Sequence, residues 1–235
     1  YFIKGSSSNQ SFKNLSIVAG KFDTPFGIDY NYYCPIDRKL ITAPLTNNNT
    51  YDSFNDYGMM LDVQHSNLTT QLFIQQGYKT KGLTLGMKNS FQLSNSSTVG
   101  LSYLTETHKH NSIHPHIISV DFSYDYSLLT FISEAVYSRG ILSNSETFKN
   151  GSGFYIELDY KIIDSEKLPL TLCSRYAYFT NDHKALDKNN TDEQNISLGM
   201  NLKMFDLFIA KIEFMLNEID KTNSDEVYLQ LITVF

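Results

Sequence analysis

The residues of this sequence that could do chemistry are charged side chains at alternate positions of apolar segments. Asp121 follows Val120 and precedes Phe122, and Glu157 and Asp159 enclose Leu158. In an extended strand, successive side chains point to opposite faces, so these carboxylates share one face and the apolar side chains share the other. Charged groups that converge in a confined passage attract counter-ions and small charged solutes. The pattern therefore indicates an ion-attracting surface, if many strands place such residues side by side.

The same alternation runs through most of the chain and predicts the elements that position these charges. A helix would scramble the two faces, because its period is 3.6 residues. Most segments run 10 to 13 residues, which suits a tilted membrane crossing of roughly 9 to 11 residues better than the shorter strands of soluble proteins. Twelve strands are predicted, at 14–21, 57–65, 68–77, 82–93, 97–107, 115–126, 128–139, 152–163, 168–180, 193–204, 206–218 and 225–235.

The connections between these strands fall into two alternating sets. Tight connections lie near 66, 95, 127, 165 and 205, and generally longer ones lie between them. Short periplasmic turns and long extracellular loops are typical of outer-membrane barrels. We therefore predict an all-β fold, a transmembrane antiparallel up-and-down β-barrel of about 12 strands with both termini periplasmic. The alternative is a soluble β-sandwich, whose half-buried strands also alternate.

Composition narrows the class of protein. The chain has 235 residues, a net charge of -6 and 14% aromatic residues, and it contains no apolar run of the length that a transmembrane helix needs. The acidic balance argues against a nucleic-acid partner, because neutralising phosphates requires a basic surface. The aromatic content suits the two girdles of a membrane barrel. No cofactor is expected.

The chain divides into a short N-terminal part and one large domain. Residues 1–13 are polar and low in complexity, and they are expected to be a periplasmic lead-in or the remnant of an earlier hairpin. Residues 14–235 form the predicted barrel, with a long first loop at 22–56. A loop of this length is usually functional or disordered. It either folds inward as a constriction or lies over the surface as a cap.

The last nine residues resemble the barrel-closing strand of outer-membrane proteins. Val227, Leu229, Leu231 and the terminal Phe235 share one face. The resemblance implies that Leu229, Leu231 and Phe235 act as the signal for the bacterial barrel-assembly machinery. It also implies a lipid bilayer and lipopolysaccharide as surroundings.

A second resemblance lies directly after the first predicted strand. Residues 20–27 read Gly-Lys-Phe-Asp-Thr-Pro-Phe-Gly, similar to the G-[KR]-F-x-x-P-[FIL]-G segment of Gram-negative porins, including the phosphate-selective type and the OmpL-like group. Proline cannot donate to a strand ladder and glycine permits a positive φ, so the strand must end here. The resemblance rests on Gly20, Lys21, Phe22, Pro25, Phe26 and Gly27.

The function that these features predict is a passive, water-filled porin channel for small hydrophilic solutes or ions, with no enzymatic step. The oligomeric state is left open between a monomer and a homo-oligomer. A ladder of basic residues for phosphate selectivity is not found. Eight acidic and five basic charges predict weak cation preference. Alternatives are a structural barrel with a plugged lumen or an outer-membrane hydrolase. The predicted pore-lining residues are Asp62, Lys88, Asp121, Asp125, Glu134, Glu157, Asp159, Lys161, Arg175, Lys203, Lys211, Glu213 and Glu226.

Cysteine and histidine residues give further hypotheses. Cys34 lies in the first loop, and Cys173 shares its predicted face with Arg175, so an inward loop could allow a disulfide; two free thiols are the alternative. Four histidines between 108 and 116 could bind a metal, but a polar loop tip explains them as well, so no metal site is predicted. His65 beside Ser66 lacks a motif for nucleophilic catalysis.

Overall fold

The computed structural model is built from one antiparallel sheet whose strands follow one another in chain order. It describes residues 2–9, 12–32, 34, 36–51, 55–77, 82–107, 115–142, 148–165, 167–182, 191–205, 207–219 and 222–233. Thirteen strands lie within these ranges, and each pairs with its neighbours in the sequence. The strands are β1 (Phe2–Asn9), β2 (Phe12–Asp23), β3 (Asn55–His65), β4 (Leu68–Gln76), β5 (Leu83–Ser94), β6 (Ser97–Glu106), β7 (His116–Tyr126), β8 (Leu129–Leu142), β9 (Phe148–Ile163), β10 (Leu170–Asp182), β11 (Thr191–Met204), β12 (Phe208–Ile219) and β13 (Thr222–Thr233).

The two faces of the sheet are inverted relative to a soluble protein. Leu85, Val120 and Leu198 are 39%, 50% and 55% exposed on the outer face, whereas charged residues such as Glu134 and Arg175 are buried on the inner face. An apolar outer surface of this extent belongs against lipid or another protein. The soluble sandwich, which needs a dry apolar interior, does not fit. The predicted all-β, up-and-down antiparallel fold is confirmed.

The tight connections define one end of the sheet, which we call the turn end. Ser66, Ser127 and Phe205 lie there with positive φ angles of 51°, 53° and 51°, as tight reversals between twisted strands require. The strands meet the longer connections at the opposite end, the loop end. All twelve predicted strands are present, with their ends shifted by a few residues.

β1 is a strand in addition to the twelve predicted ones. It lies in the segment 1–13, for which a polar lead-in or the remnant of an earlier hairpin was expected, and it pairs with β2 from Phe2 opposite Gly20 to Asn9 opposite Phe12. Because β1 adds one strand to the predicted twelve, Phe2 lies at the loop end and Thr233 at the turn end. Phe2 and Thr233 thus lie at opposite ends of the sheet, and the prediction that both termini are periplasmic stays a prediction.

The described part of the connection between β2 and β3 lies inside the curved sheet. We call its residues 24–51 the inner segment; it contains a 3-10 helix (Asp29–Tyr32) and helix α1 (Leu45–Asn48). Its side chains and backbone contact inner-face residues of strands from β4 to β12, so the sheet must wrap around it. Of the two arrangements predicted for the first loop, a constriction inside the barrel and a cap over the surface, the structure shows inward folding. No described helix has the length and apolar character needed to cross a membrane.

Candidate functional site

The candidate site is the lumen of the curved sheet together with the inner segment. The chain leaves the wall at the residues that carry the porin resemblance. Thr24 donates from Oγ1 to Oε1 of Gln75 on β4 at 2.8 Å, and the Gln75 amide donates to the backbone oxygen of Phe22 at 2.8 Å. These side-chain hydrogen bonds hold the chain where strand pairing stops, because Pro25 has no N–H to donate to the neighbouring strand. The motif therefore marks the point at which the wall strand turns into the lumen.

Gly27 is the next fixed point of the inner segment. Its N–H donates to Oγ of Ser102 at 3.0 Å, and its carbonyl accepts from the buried ammonium of Lys88. Its φ is 64°, and a Cβ at this position would overlap the carboxylate of Glu134. Only glycine combines this backbone conformation with such a close approach. Lys88 also lies 5.1 Å from the ring centroid of Tyr30.

Substitution Gly27→Ala should therefore lower the free energy of unfolding by about 2–4 kcal/mol, through the left-handed backbone and the overlap with Glu134. Urea unfolding of the refolded protein in detergent would measure this loss. The matched control is Asn48→Ala, because Asn48 is exposed on the same segment and makes one long hydrogen bond of 3.5 Å. Equal stability of the two variants would contradict this role for Gly27.

Apolar packing supports the segment near the loop end. Phe26 and Tyr51, from its two ends, meet edge to face with ring centroids 4.6 Å apart. The Tyr51 hydroxyl donates to the Phe26 carbonyl at 3.2 Å. The two ends of the segment are thus joined to each other and to one apolar cluster. That cluster consists of Phe26, Tyr51, Met60, Phe73, Leu104, Ile117 and Val136.

The inner segment has a descending limb (24–32), a tip (34–39) and a returning limb (40–51). A buried polar cluster joins these parts to one another. Arg38 donates to both oxygens of Asp29, at 3.3 Å and 2.6 Å. The side-chain amide of Asn47 in α1 donates to the same carboxylate. Asp29 is 3% exposed, where an ion pair with two donors to the carboxylate is strong because few waters compete. The segment is therefore closed on itself as well as attached to the wall.

The returning limb is held by an ion-paired cluster on β9, β10 and β12. Glu213 accepts the backbone N–H groups of Ile41 and Thr42 at 2.7 Å and 2.8 Å, and the Thr42 hydroxyl at 2.6 Å. Arg175 donates to the carbonyl and hydroxyl of Thr42 at 3.0 Å and 2.7 Å. Arg175 also lies 3.5 Å from Glu157 and 3.6 Å from Glu213. Wall charges thus bind the backbone of the inner segment directly.

We expect Thr42→Val to lower the free energy of unfolding by about 1.5–3 kcal/mol, because the lost hydroxyl bonds to two charged groups. The side chain keeps its shape, so packing is little changed. Limited proteolysis should also cut the variant faster within residues 31–42, where the returning limb loses its bonds. A cleavage pattern identical to the wild type would show that Thr42 does not hold the limb.

Two further contacts fix the tip of the segment near the turn end. Lys211 donates to the carbonyl of Arg38 at 2.5 Å, and Asn201 donates to that of Lys39 at 3.4 Å. A Cβ on Gly199 would overlap Leu40, so the absence of a side chain there makes room for the fully buried Leu40. The inner segment thus extends from the loop end to within a few residues of the turn end of the lumen.

The residues predicted to line a pore all lie on the inner face, but in three different surroundings. Asp62 and Lys203 are half-buried, and Asp125, Lys161 and Glu226 are exposed. The remaining eight are buried beneath or beside the inner segment: Lys88, Asp121, Glu134, Glu157, Asp159, Arg175, Lys211 and Glu213. Several of these eight are bound to the segment rather than open to the lumen, which the sequence alone did not indicate.

Tyr30 lies where the inner segment faces an acidic side of the wall. Burial raises the pKa of Tyr30 above its ordinary value, and the negative charges of Asp23 and Asp62 raise it further, while a hydrogen bond with Gln71 opposes the rise. Gln71 in turn donates to Asp62 at 3.2 Å. The phenol therefore lies against an acidic part of the wall on β2 to β4.

A cavity of about 830 Å³ remains between the tip of the inner segment and the turn end of the wall. Lysine side chains from three parts of the chain line it, namely Lys39, Lys161 and Lys203. Asp37 and Asp164 also reach it, and Lys161 lies 3.9 Å from Asp164. The segment therefore narrows the lumen at this end without filling it.

The suggested bridge between Cys34 and Cys173 is not formed. Both cysteines are free, Cys34 exposed at the tip and Cys173 buried on β10. Within the described ranges no group of His, Cys, Asp and Glu could hold a metal. The histidines at 108, 110 and 114 lie outside the described residues; His116 is exposed and hydrogen bonded to Tyr103 at 2.7 Å.

Sequence reasoning missed the residues of the inner segment that carry most polar contacts. Asp29, Arg38 and Thr42 lie in an irregular stretch, where no period of 2 or 3.6 assigns a face. Gln75 and Ser102 lie on the inner face by parity, but neutral side chains were not weighed as anchors. The only local signal was the glycine and proline motif at the start of the segment.

Comparison with known proteins gives a fold and no family. No family model and no curated protein matches the chain. Among solved structures, OmpT of Vibrio cholerae, an outer-membrane protein, is 11% identical over 94% of this chain and 76% of its own, with a TM-score of 0.68. An anion-selective porin from Comamonas acidovorans is 9% identical over 97% and 72%, with a TM-score of 0.64. This chain thus has the fold of outer-membrane β-barrels.

Proposed function

We propose that this chain forms an outer-membrane channel that conducts small hydrophilic solutes or ions along a lumen narrowed by the inner segment. The observation that carries this proposal is the cavity of about 830 Å³ beside the segment tip, lined by charged and polar side chains. A lumen packed closed along its whole length would leave no space of this volume. The turn end would face the periplasm, as in other barrels of this fold.

The charge of the inner face supports a preference for cations. Among the described residues of the wall, six buried acidic groups face three buried basic ones: Glu106, Asp121, Glu134, Glu157, Asp159 and Glu213 against Lys88, Arg175 and Lys211. Those of the acidic groups that are ionised raise the local concentration of cations in a narrow lumen. The lysines at the turn end act in the opposite direction, so the preference should be weak.

Planar-bilayer recordings of the purified protein test the proposal. Steady ohmic openings are expected, with a reversal potential in a salt gradient that shows weak cation preference. The absence of conductance at every voltage would contradict the proposed channel and favour the plugged barrel. That second function has a specific observation in its favour, because the inner segment occupies most of the length of the lumen.

Neutralising the acidic groups that remain open to the lumen should shift the selectivity. In the double variant Asp62→Asn and Glu226→Gln, we expect a clear loss of cation preference, since both side chains lie on the inner face and are not fully buried. Lys161→Gln is the matched control of opposite sign and should increase the preference. Reversal potentials that do not move in either variant would refute this assignment of the passage.

The absence of enzymatic activity stays a prediction. His65 and Ser66 lie at the tight turn between β3 and β4, and ester and lipid hydrolysis assays would test the hydrolase alternative. The assembly signal is likewise a proposal: Leu229 and Leu231 are 77% and 67% exposed on the outer face, and Phe235 lies outside the described residues.

A further inference from the structure

The outer face of β2 carries a basic side chain near the loop end. Lys21 lies directly opposite Tyr57 of β3, and both side chains are exposed. Lys21 shares its face of the strand with Ile17, which is 49% exposed on the outer face, because side chains an even number of residues apart point the same way. The Lys21 ammonium group therefore lies outside the wall and takes no part in the turn that carries the chain into the lumen.

The charge of Lys21 is not paired within the part of the chain that the structure describes. The four ion pairs among the described residues do not include Lys21. Asp23 follows further toward the loop end, where its charge acts on Tyr30 of the inner segment. A lysine beside an apolar band lays its alkyl chain on that band and extends the ammonium group to the lipid headgroups. Tyrosine is typical of the same level, so Lys21 and Tyr57 mark where the wall meets the headgroups.

An apolar groove of about 480 Å³ lies on the outer face beside this pair, toward the turn end. Met59 lines the groove and follows Tyr57 on the outer face of β3. Opposite Met59 is Ala19, whose small side chain leaves the way open from Lys21 to the groove. The other outer-face side chains that line it come from four neighbouring strands, namely Ile17, Leu61, Leu72, Ile74 and Leu85.

We propose that Lys21 and this groove form a binding site for a phosphorylated lipid of the outer leaflet. The phosphate accepts hydrogen bonds from the Lys21 ammonium group, and one acyl chain lies in the groove against Met59 and Leu72. The positive charge at the headgroup level fits an anionic headgroup, and the apolar lining fits a hydrocarbon chain. A neutral protein surface would leave the ammonium group without an anion. The inference rests on the proposed orientation, with the loop end outside, and goes beyond the proposed conduction.

Arg139 provides the comparison that separates a site from general attraction to an anionic leaflet. It lies opposite His116 at the loop end of β8 and is exposed on the outer face. Arg139 has the same charge as Lys21 at the same end of the wall, but none of the residues that line the groove belongs to β8. General attraction acts on both residues alike, whereas a site that includes the groove depends on Lys21.

Native mass spectrometry of the refolded protein with bisphosphorylated lipid A tests the headgroup contact. One lipid should stay bound to the wild type, and Lys21→Gln should weaken its binding about five-fold, as expected for one lysine near a charged leaflet. Arg139→Gln is the matched control and should bind as the wild type does. Equal weakening in both variants, weakening in neither, equal binding of dephosphorylated lipid A or displacement by inorganic phosphate would overturn the proposal.

The acyl-chain contact is tested by filling the groove. Ala19→Phe places a ring between Lys21 and the groove without a change in charge, and it should weaken binding of lipid A several-fold. The matched control is Ala135→Phe, because Ala135 is an exposed alanine opposite Val120 on the outer face. The shift in gel mobility on heating shows that both variants are folded. Equal binding of lipid A by the two folded variants would overturn the proposal.

Conductance recorded on the same samples separates this inference from the proposed function. Lipid binding that depends on Lys21, in a protein that does not conduct, contradicts the channel and keeps the lipid site. Conductance in a protein whose lipid binding does not depend on Lys21 keeps the channel and removes the lipid site.

Discussion

Replacing Arg175 with Met lowers the free energy of unfolding by about 3–5 kcal/mol, because it leaves buried carboxylates without their cation. The Arg175 side chain is 1% exposed and lies between Glu157 and Glu213, whose side chains are 9% and 0% exposed. The returning limb also loses the two bonds from Arg175 to Thr42. Urea unfolding measures the loss of stability. The weaker attachment of the returning limb should appear in single-channel recordings as larger and noisier openings.

The double variant Arg175→Met and Glu213→Gln is the control for this prediction. Removing the charge of Glu213 together with its cation should recover part of the stability, since paired buried charges can be replaced at little cost when both are removed. The openings should stay large, because the limb remains weakly held. A single variant no less stable than Asn48→Ala would show that the cluster does not hold the limb.

Replacing residues 29–46 with a short Gly-Ser linker should raise the single-channel conductance several-fold. The deletion removes the limbs that occupy the lumen but keeps Phe26 and Tyr51, which close the apolar cluster near the loop end. Wall charges such as Arg175 and Glu213 remain paired with each other. If the native protein is a plugged barrel, the same deletion should convert a silent barrel into a conducting one.

A tethered variant is the counterpart of this deletion. Leu40 lies against the position that a Cβ of Gly199 would occupy. Because the free Cys173 lies directly opposite Gly199, the background carries both Cys34→Ser and Cys173→Ser. In this background Leu40→Cys with Gly199→Cys should form a disulfide that locks the segment in the lumen. Oxidation should leave the native conductance and reduction should permit brief larger openings. Unchanged conductance in the deletion variant would contradict the view that the segment narrows the passage.

The wall could be predicted from the sequence because its physical rule is simple. Every second side chain from Leu83 to Leu93 faces outward, and all of these except Asn89 are apolar, so the period of 2 assigns each neighbour without further knowledge. β1 could not be found in this way, since Ser6, Ser7 and Ser8 give no apolar face. The strand is defined instead by its pairing with β2.

The inner segment could be located but not folded from the sequence. Gly20 to Gly27 marks where the wall strand ends, and the length of the connection marks it as functional. The contacts that fix it join residues far apart in the chain, such as Thr42 with Arg175 and Gly27 with Ser102. No local pattern encodes such pairs, so the choice between a constriction and a surface cap needed the structure. The structure also shows that several residues predicted to line the pore hold the inner segment instead.

The closed cluster of Asp29, Arg38 and Asn47 bears on the order in which the protein acquires its shape. These contacts span 9 and 18 residues, whereas those between the segment and β12 span more than 170. Short chain closures lose less entropy than long ones. We therefore expect the two limbs to join before the later strands arrive, so that the nascent sheet curls around a preformed template; pulsed hydrogen exchange during refolding would show early protection at α1.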